Sequence, residues 1–500
     1  MRICRRWALA AALVLSLAVA ACSGGSPGSA GSGGTGPQGQ PRHGGTVTIA
    51  WPASPNFIFP LVPATNSDGF NENLTSLMWP YLVYPGDGAK SIVNPRESLF
   101  TSISYSGGDR TVTIDLKPWK WSDGAPITSR DFTFVYNLLK AGKSNWNGYV
   151  PGLFPDDVAS VSTPGPHTVV LHLTRSYNPA FYTDDVLNTV PLLPQHAWDK
   201  TSATGAVGNY DETAAGAKAV YAFLQKEGGQ MTTFATNPLW KVVDGPWALS
   251  SFQASTGQFT YVANKHYSGP DKPHLAKVVN EPFTSDTAEL DALRGGSSLD
   301  VGNLPLNDIK QEGVLKASGY SIATAYVPGV AEIIPNLYNT GAGPVLRQLY
   351  VRQAMEELIN RKQITAKVYS GLADPGNGPV PLQAISSWVS PLEKAGGPYP
   401  YSPSAAIALL KAHGWKVTPG GTSTCQRPGS GASDCGAGIA AGQPLGFQLI
   451  YSSGIASMDE QNAAIQSSEA QAGVKIALKS EPFNTLSGTV GICTASSHPA

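Results

Sequence analysis

The sequence contains few of the residues on which metal centres, covalent catalysts and nucleic-acid surfaces depend. Its 500 residues include five cysteines, five methionines and eight histidines, and only 14% are charged. Lys and Arg (34) nearly balance Asp and Glu (35), and no basic stripe indicates a nucleic-acid partner. No histidine pair has zinc spacing, and no HExxH motif or nucleophile elbow lies between a strand and a helix. We therefore predict no catalytic residue, no metal, no cofactor and no nucleic-acid partner.

Long apolar runs are also missing, except for one near the start of the chain. Three arginines precede the apolar run from Trp7 to Ala21, which is short for a membrane span and typical of a secretion signal. Small residues lead into Cys22, a pattern that resembles the lipobox of bacterial lipoproteins. We predict a signal peptide over residues 1–21 and lipidation of Cys22. An ordinary signal peptide cut nearby is the alternative.

Residues 22–44 are predicted to form a flexible tether. They are mostly Gly, Ser and Pro with almost no apolar side chain, so they cannot bury a core. At about 5–6 Å times the square root of its length, such a tether spans roughly 25 Å. The remaining chain is too long for one compact core and suits two lobes or more.

The strongest local signals lie between Thr111 and Lys140. Thr111 to Lys117 alternate polar and apolar residues, as in a half-buried strand, and Asp123-Gly124 favours a turn. Thr128 can then cap a helix, with Asp131 as its capping-box partner. The apolar residues of this predicted helix share one face: Phe132, Val135, Tyr136 and Leu139.

Two later stretches each predict a β-α-β unit. The predicted strand, helix and strand are Leu275–Val279, Asp286–Leu293 (capped by Ser285) and Leu299–Val301 in the first unit, and Leu445–Tyr451, Asp459–Ala472 and Val474–Leu478 in the second. Parallel strands connected in this way bring their following loops to one sheet edge, where open α/β folds bind ligands.

Two segments resemble a known family. Residues 121–139, WSDGAPITSRDFTFVYNLL, are similar to the signature segment of the peptide-type solute-binding proteins of ABC importers. Val351–Ala354 followed by Ile359–Arg361 resembles that family's VRQA…AIDR helix, with Asn360 where the family usually has Asp. The resemblance extends over the body from Gly45 onward.

The resemblance implies an α/β, periplasmic binding protein-like fold with two lobes of mixed sheets, an extra subdomain and a hinge. The predicted parts are lobe I (residues 45–95 and 196–302), an inserted subdomain (96–195) and lobe II (303–500), with a hinge crossing at Asn303 to Pro305. Family members continue beyond the last predicted strand. We therefore expect the sequence to be cut short, with part of the ligand site and the partner of Cys493 beyond residue 500.

The implied function is a lipid-anchored receptor on the outer face of the cell membrane, in the periplasm or cell-wall space. As a monomer without enzyme activity, it would deliver a peptide to an ABC permease and its ATPase subunits. The alternatives are a nickel-chelate or haem receptor on the same fold, or a secreted hydrolase. The candidate ligand-binding residues are Phe57, Phe59, Asn71, Asn339 and Asn377. For the two phenylalanines, packing in the local core is the alternative.

Cys425 and Cys435 lie ten residues apart in a Gly-rich loop. In an exported protein such a pair is expected to form a disulfide, and reactive thiols are the weaker interpretation. Closing this loop would stabilise the fold by up to about 3 kcal/mol.

Overall fold

The computed structural model describes residues 2–5, 43–66, 69–84, 86, 93–296, 298–324, 329–382, 389–483 and 485–486. Its strands are β1 (Arg2–Arg5), β2 (Thr46–Trp51), β3 (Phe100–Ser106), β4 (Thr111–Leu116), β5 (Val158–Gly165), β6 (Thr168–Leu173), β7 (Trp247–Phe252), β8 (Phe259–Ala263), β9 (Lys277–Pro282), β10 (Val301–Asn303), β11 (Tyr320–Ala323), β12 (Trp415–Lys416), β13 (Thr424–Cys425), β14 (Gly446–Ser452) and β15 (Lys475–Glu481).

The helices are α1 (Gly69–Ser76), α2 (Ser129–Gly142), α3 (Pro179–Phe181), α4 (Gln195–Trp198), α5 (Ala214–Gly228), α6 (Asp286–Gly295), α7 (Glu312–Ala317), α8 (Gly343–Leu346), α9 (Leu349–Leu358), α10 (Arg361–Lys367), α11 (Pro391–Lys394), α12 (Pro403–Ala412) and α13 (Ala456–Glu469). Short 3-10 turns and one π-helical turn, Tyr182–Val186, complete the helical elements described. Cys22, Cys493 and the predicted leader other than β1 lie outside the described residues.

The largest sheet has seven strands in the order β11-β1-β10-β2-β9-β8-β7. Its centre is parallel, because β10 and β9 both run parallel to β2, which lies between them. The predicted first β-α-β unit is present as β9-α6-β10. As predicted, Ser285 caps α6, and its hydroxyl accepts a hydrogen bond from the Ala288 N–H at 3.3 Å. Both predicted parallel strands are therefore in the sheet, with the first strand of the body inserted between them.

A four-stranded antiparallel sheet, β3-β4-β6-β5, lies within the range predicted for the inserted subdomain. The predicted capping box begins α2, because the Asp131 carboxylate accepts from the Thr128 N–H at 2.8 Å. α2 packs on α5, where a Cβ on Gly142 would stand 2.6 Å from the Tyr221 ring. This sheet and the large sheet contribute to one continuous hydrophobic cluster. The boundaries of the inserted subdomain stay a prediction, but its hydrophobic core is continuous with that of the large sheet.

The second lobe is built on β14 and β15, which are parallel neighbours connected by α13, as the second predicted β-α-β unit requires. Its core is formed mainly by aliphatic residues of α9, α12 and this pair of strands. Ser402 caps α12, and its hydroxyl accepts a hydrogen bond from the Ala405 N–H at 3.3 Å. A disulfide joins Cys425 to Cys435, and both residues are fully buried.

The predicted crossing at Asn303 to Pro305 is wrong. The chain remains with the first sheet through β11, and Leu304, Leu315 and Tyr320 pack in a cluster with residues of α6 and β2. The Tyr320 hydroxyl donates to the Leu299 carbonyl at 2.8 Å, which fixes this return to the first lobe. Residues 304–323 therefore belong to lobe I, and the crossing to lobe II follows them.

Candidate ligand-binding cleft

The parallel strands of the two lobes end toward each other. Asp286, shortly after β9 in the first lobe, donates its N–H to the carbonyl of Gly454, shortly after β14 in the second, at 3.1 Å. Ligands of open α/β sheets bind outside the carboxyl ends of parallel strands. The space between these two facing edges is therefore the candidate ligand-binding cleft.

The contact between the edges includes a side chain as well as the backbone. Asp286 is the first residue of α6, and its carboxylate accepts from the N–H of Ala456, the first residue of α13, at 3.3 Å. A carboxylate at a helix N-terminus is favourable because the unpaired N–H groups there carry partial positive charge. Burial raises the pKa of Asp286 above its ordinary value despite this bond, and the nearby Asp308 carboxylate raises it further. We call this group of contacts the interlobe contact.

Gly454 allows the close approach in the interlobe contact. Its φ is +88°, and a Cβ at this position would stand 2.2 Å from the carbonyl oxygen of Thr284. Any larger residue would meet both an unfavourable backbone conformation and a backbone clash across the two lobes. The distance between the lobes at this point is therefore fixed by a glycine.

A second contact between the lobes is aromatic. Phe70 of α1 and Phe483, which follows β15, meet edge to face with ring centroids 5.2 Å apart. Both side chains are half-buried. Such pairs contribute about 0.5–1.5 kcal/mol beyond the area that they bury.

Polar atoms without a partner lie at or just after the carboxyl ends of three parallel strands. They are Trp51 Nε1 at the end of β2, both side-chain polar atoms of Asn307 after β10, and Glu481 Oε2 at the end of β15. Each is shielded from solvent, and within the described residues none has a hydrogen-bond partner. Buried polar groups are normally paired, so these atoms are exceptions among the described residues.

Three of the predicted ligand-binding residues need correction, because the structure buries them. Phe57 and Phe59 belong to the main hydrophobic cluster under α5, so the alternative of core packing is favoured. Asn71 is fully buried, and its side-chain oxygen accepts from the N–H groups of Asn56 and Phe57 at 2.8 and 3.1 Å. Its amide donates to the Asn66 carbonyl at 2.8 Å. These residues support the loop after β2 and offer no surface to a ligand.

The other two candidates are half-buried and lie in the second lobe. The Asn339 side chain accepts from the N–H groups of Gly341 and Ala342, at 2.9 and 2.8 Å, just before α8. Asn377 donates to the Pro375 carbonyl at 3.0 Å and packs beside Gly397. Their part in ligand binding stays a prediction. The rule that ligands bind beyond parallel strands could have identified Trp51, Asp286 and Gly454, which the candidate set did not include.

A cavity of about 250 Å³ lies elsewhere in the second lobe, between α10 and α13. Polar side chains line much of it, among them Gln363, Lys367, Ser467 and Gln471. Because α13 begins at the interlobe contact and these residues lie toward its other end, the cavity is separate from the cleft. Within the described residues, no three His, Cys, Asp or Glu side chains converge as metal ligands, and no helix is long and apolar enough to cross a bilayer.

Two lobes of mixed α/β structure whose parallel strands face a common cleft define the class of the bacterial binding proteins. Residues 94–498 match the profile of the bacterial extracellular solute-binding proteins, family 5, middle region, and the chain belongs to that family. A Brucella ovis protein provisionally named as an ABC transporter peptide-binding protein is 28% identical over 71% of this chain. The oligopeptide-binding protein OppA of Bacillus subtilis is 23% identical over 57% of it. These matches cover 57% and 49% of the two relatives, so this chain spans about half of their length.

Solved structures share the fold at low sequence identity. Oligopeptide-binding protein AppA from Bacillus subtilis, in complex with a nonapeptide, matches with a TM-score of 0.64 and 18% identity. The match covers 90% of this chain and 77% of the AppA chain. NikZ from Campylobacter jejuni, in complex with Ni(L-His), has a TM-score of 0.61 and 19% identity, with 88% and 74% covered. DppA from Helicobacter pylori, in complex with the peptide STSA, has a TM-score of 0.58 and 17% identity, with 89% and 75% covered.

Proposed function

We propose that this protein captures peptides in the cleft between its two lobes and delivers them to an ABC permease with its ATPase subunits. The observation that carries the proposal is the set of unpartnered polar atoms at the facing strand ends, Trp51 Nε1, the Asn307 amide and Glu481 Oε2. An extended peptide presents alternating main-chain donors and acceptors, which can complete such a set while its side chains enter roomier pockets. The names of OppA and AppA, and the peptide bound to DppA, favour this class of cargo.

Binding would work by closure of the lobes and without covalent change to the cargo. A ligand shifts the equilibrium toward the closed form only by as much as it binds that form more tightly. The interlobe contact would act as the pivot, because the Asp286 N–H and carboxylate hold both Gly454 and Ala456. One chain supplies both edges of the cleft, so a monomer is sufficient.

The sequence supports a location at the outer face of the cell membrane. Lipid on Cys22 would anchor the chain, and residues 22–44 would hold the body away from the bilayer and near the permease. Replacement of Cys22 by Ser is expected to move the protein from the membrane fraction to the soluble fraction and to abolish incorporation of a labelled fatty acid. Unchanged membrane association of Cys22→Ser would contradict the anchor.

Native mass spectrometry of the full chain purified from its own host tests the cargo directly. We expect one retained peptide per protein, with no product of turnover. A retained metal chelate would instead support the nickel-chelate alternative, and peptide hydrolysis would support an enzyme.

A matched pair of variants tests the cleft itself. Trp51→Phe removes the indole donor but keeps an aromatic ring, so the retained peptide should bind about tenfold more weakly. Trp247→Phe, at the start of β7 in the same sheet, is the control and should bind as the wild type does. Equal affinity of Trp51→Phe and the wild type would exclude this strand end from the binding site.

A further inference from the structure

Two histidines lie opposite each other at the amino ends of neighbouring parallel strands. β2 and β9 pair in register from Thr46 with Lys277, and three residues earlier on each strand stand His43 and His274. The Gly44 N–H donates to the His274 carbonyl at 2.8 Å, and the Ala276 N–H donates to the Gly45 carbonyl at 3.1 Å. The backbone pairing of the sheet thus continues to the histidines and holds them side by side.

The two imidazoles present nitrogen atoms to each other. Nδ1 of His43 and Nδ1 of His274 are 3.4 Å apart, with ring centroids separated by 4.8 Å and planes inclined by 61°. Zinc–nitrogen bonds of about 2.0–2.1 Å in a tetrahedron place two ligand nitrogens about 3.3 Å apart. The observed separation is therefore that of two adjacent corners of a tetrahedral metal site.

From this geometry we propose that His43 and His274 form a binding site for a divalent transition metal such as Zn²⁺. Neutral imidazole is a preferred ligand of zinc, copper and nickel. Both side chains are exposed, so a metal ion can reach them and water can fill the remaining coordination positions. A metal bound there would join His43, at the end of the predicted tether, to His274, three residues before β9.

The site is distinct from the ligand cleft. The histidines lie before β2 and β9, whereas the cleft lies beyond the opposite, carboxyl ends of the same strands. The two residues are 231 positions apart in the sequence, so no spacing motif could reveal them. The sequence-based expectation of no metal considered only histidines close in sequence, and this pair forms through the sheet register.

Calorimetric titration of the full chain with ZnCl₂ tests the proposal. We expect one Zn²⁺ per chain. His43→Gln and His274→Gln should each weaken binding by at least about tenfold, since either change leaves a single imidazole. His266→Gln, another exposed histidine of the same region, is the matched control and should bind Zn²⁺ as the wild type does.

Circular dichroism of each variant separates loss of a ligand from loss of the fold, and the surface position of both residues predicts unchanged melting without metal. Electron paramagnetic resonance with Cu²⁺ gives a second measurement, in which two coordinated nitrogens are expected in the wild type and one in either variant. Absence of Zn²⁺ binding by the wild type would overturn the proposal. So would equal binding by either variant and the wild type, because the paired rings would then only share a hydrogen bond.

Discussion

The two lobes are stabilised by different kinds of core. In the first lobe, Trp79, Trp198 and Trp240 meet edge to face, with centroids 5.2 Å apart for the first two and for the last two. Phe59 packs against the same group, and the Trp198 indole donates to the Leu239 carbonyl at 2.6 Å. Large packed rings thus hold a long and discontinuous stretch of chain together without a covalent link among the described residues.

The second lobe has a smaller and mainly aliphatic core, and its Gly-rich loop depends on a covalent bridge. Cys425 and Cys435 are fully buried, and the Cys435 carbonyl accepts from the Tyr350 hydroxyl at 2.6 Å. The Trp415 indole in turn donates to that hydroxyl at 2.7 Å. Where a loop supplies few apolar side chains, a disulfide with a short chain of hydrogen bonds anchors it to the core.

The largest effect is expected from removal of a ring from the first core. Trp198→Ala should lower the free energy of unfolding of the first lobe by about 3–5 kcal/mol, because it leaves a large cavity. Urea denaturation followed by hydrogen-exchange mass spectrometry measures the stability of each lobe separately. Leu410→Ala is the corresponding change in the second core. If Trp198→Ala destabilised α12 as much as α2, the two cores would not be independent.

Loss of the disulfide should affect the second lobe alone. Replacement of both Cys425 and Cys435 by Ser is expected to lower its stability by up to about 3 kcal/mol, because the unfolded loop regains conformational freedom. The same exchange measurement should show faster exchange in β13 and α12 and unchanged protection in the first lobe. Equal stability of the double variant and the wild type would show that packing alone holds this loop.

The boundary between the lobes is tested by Gly454→Ala. A methyl group there would clash with the Thr284 carbonyl, so we expect a cost of about 1–2 kcal/mol and a larger radius of gyration in solution scattering. Gly442→Ala is the matched control, because Gly442 also has a positive φ (+77°) but no atom within 4 Å of the added carbon. An unchanged radius of gyration for Gly454→Ala would remove this residue from the interlobe contact.

Sequence reasoning succeeded where neighbours in the chain determine the structure. The cap of α2 by Thr128 and Asp131 and the cap of α6 by Ser285 are local, and the structure has both. It failed where distant segments meet. The crossing after residue 323 depends on side-chain packing against α6, and the approach of Gly454 to Asp286 joins residues of different lobes. Phe57 and Phe59 are candidates because the loop after the first strand faces the ligand cleft in the family that the sequence resembles, yet α5 covers them.

The two lobes share one feature, a buried carboxyl group, whose expected effect on stability is smaller than those above. Each buries a carboxyl group whose oxygens have no hydrogen-bond partner from another described side chain or backbone group, Asp244 in the first lobe and Glu469 in the second. Burial raises the pKa of Glu469 well above 4.5, with the Glu356 carboxylate adding to the shift, and burial likewise raises the pKa of Asp244. The neutral acid is therefore the form that favours the folded state.

Stability from these groups is fully present below the pKa of the unfolded chain and is lost as pH rises toward the folded pKa. For Glu469 the expected loss is about 1 kcal/mol between about pH 4.5 and 5.5, measured by urea denaturation of the second lobe. Glu469→Gln should remove that slope, and Asp244→Asn should do so in the first lobe. An unaltered pH dependence in Glu469→Gln would contradict this assignment.

Removal of the predicted signal peptide would take the strand β1 out of the large sheet. This strand lies between β10 and β11, yet its residues belong to the predicted signal peptide. Cleavage before Cys22 would leave a gap one strand wide, bordered on both sides by unpaired N–H and C=O groups. Open edges of this kind recruit foreign strands, so the precursor and the processed protein should differ in their tendency to aggregate on refolding.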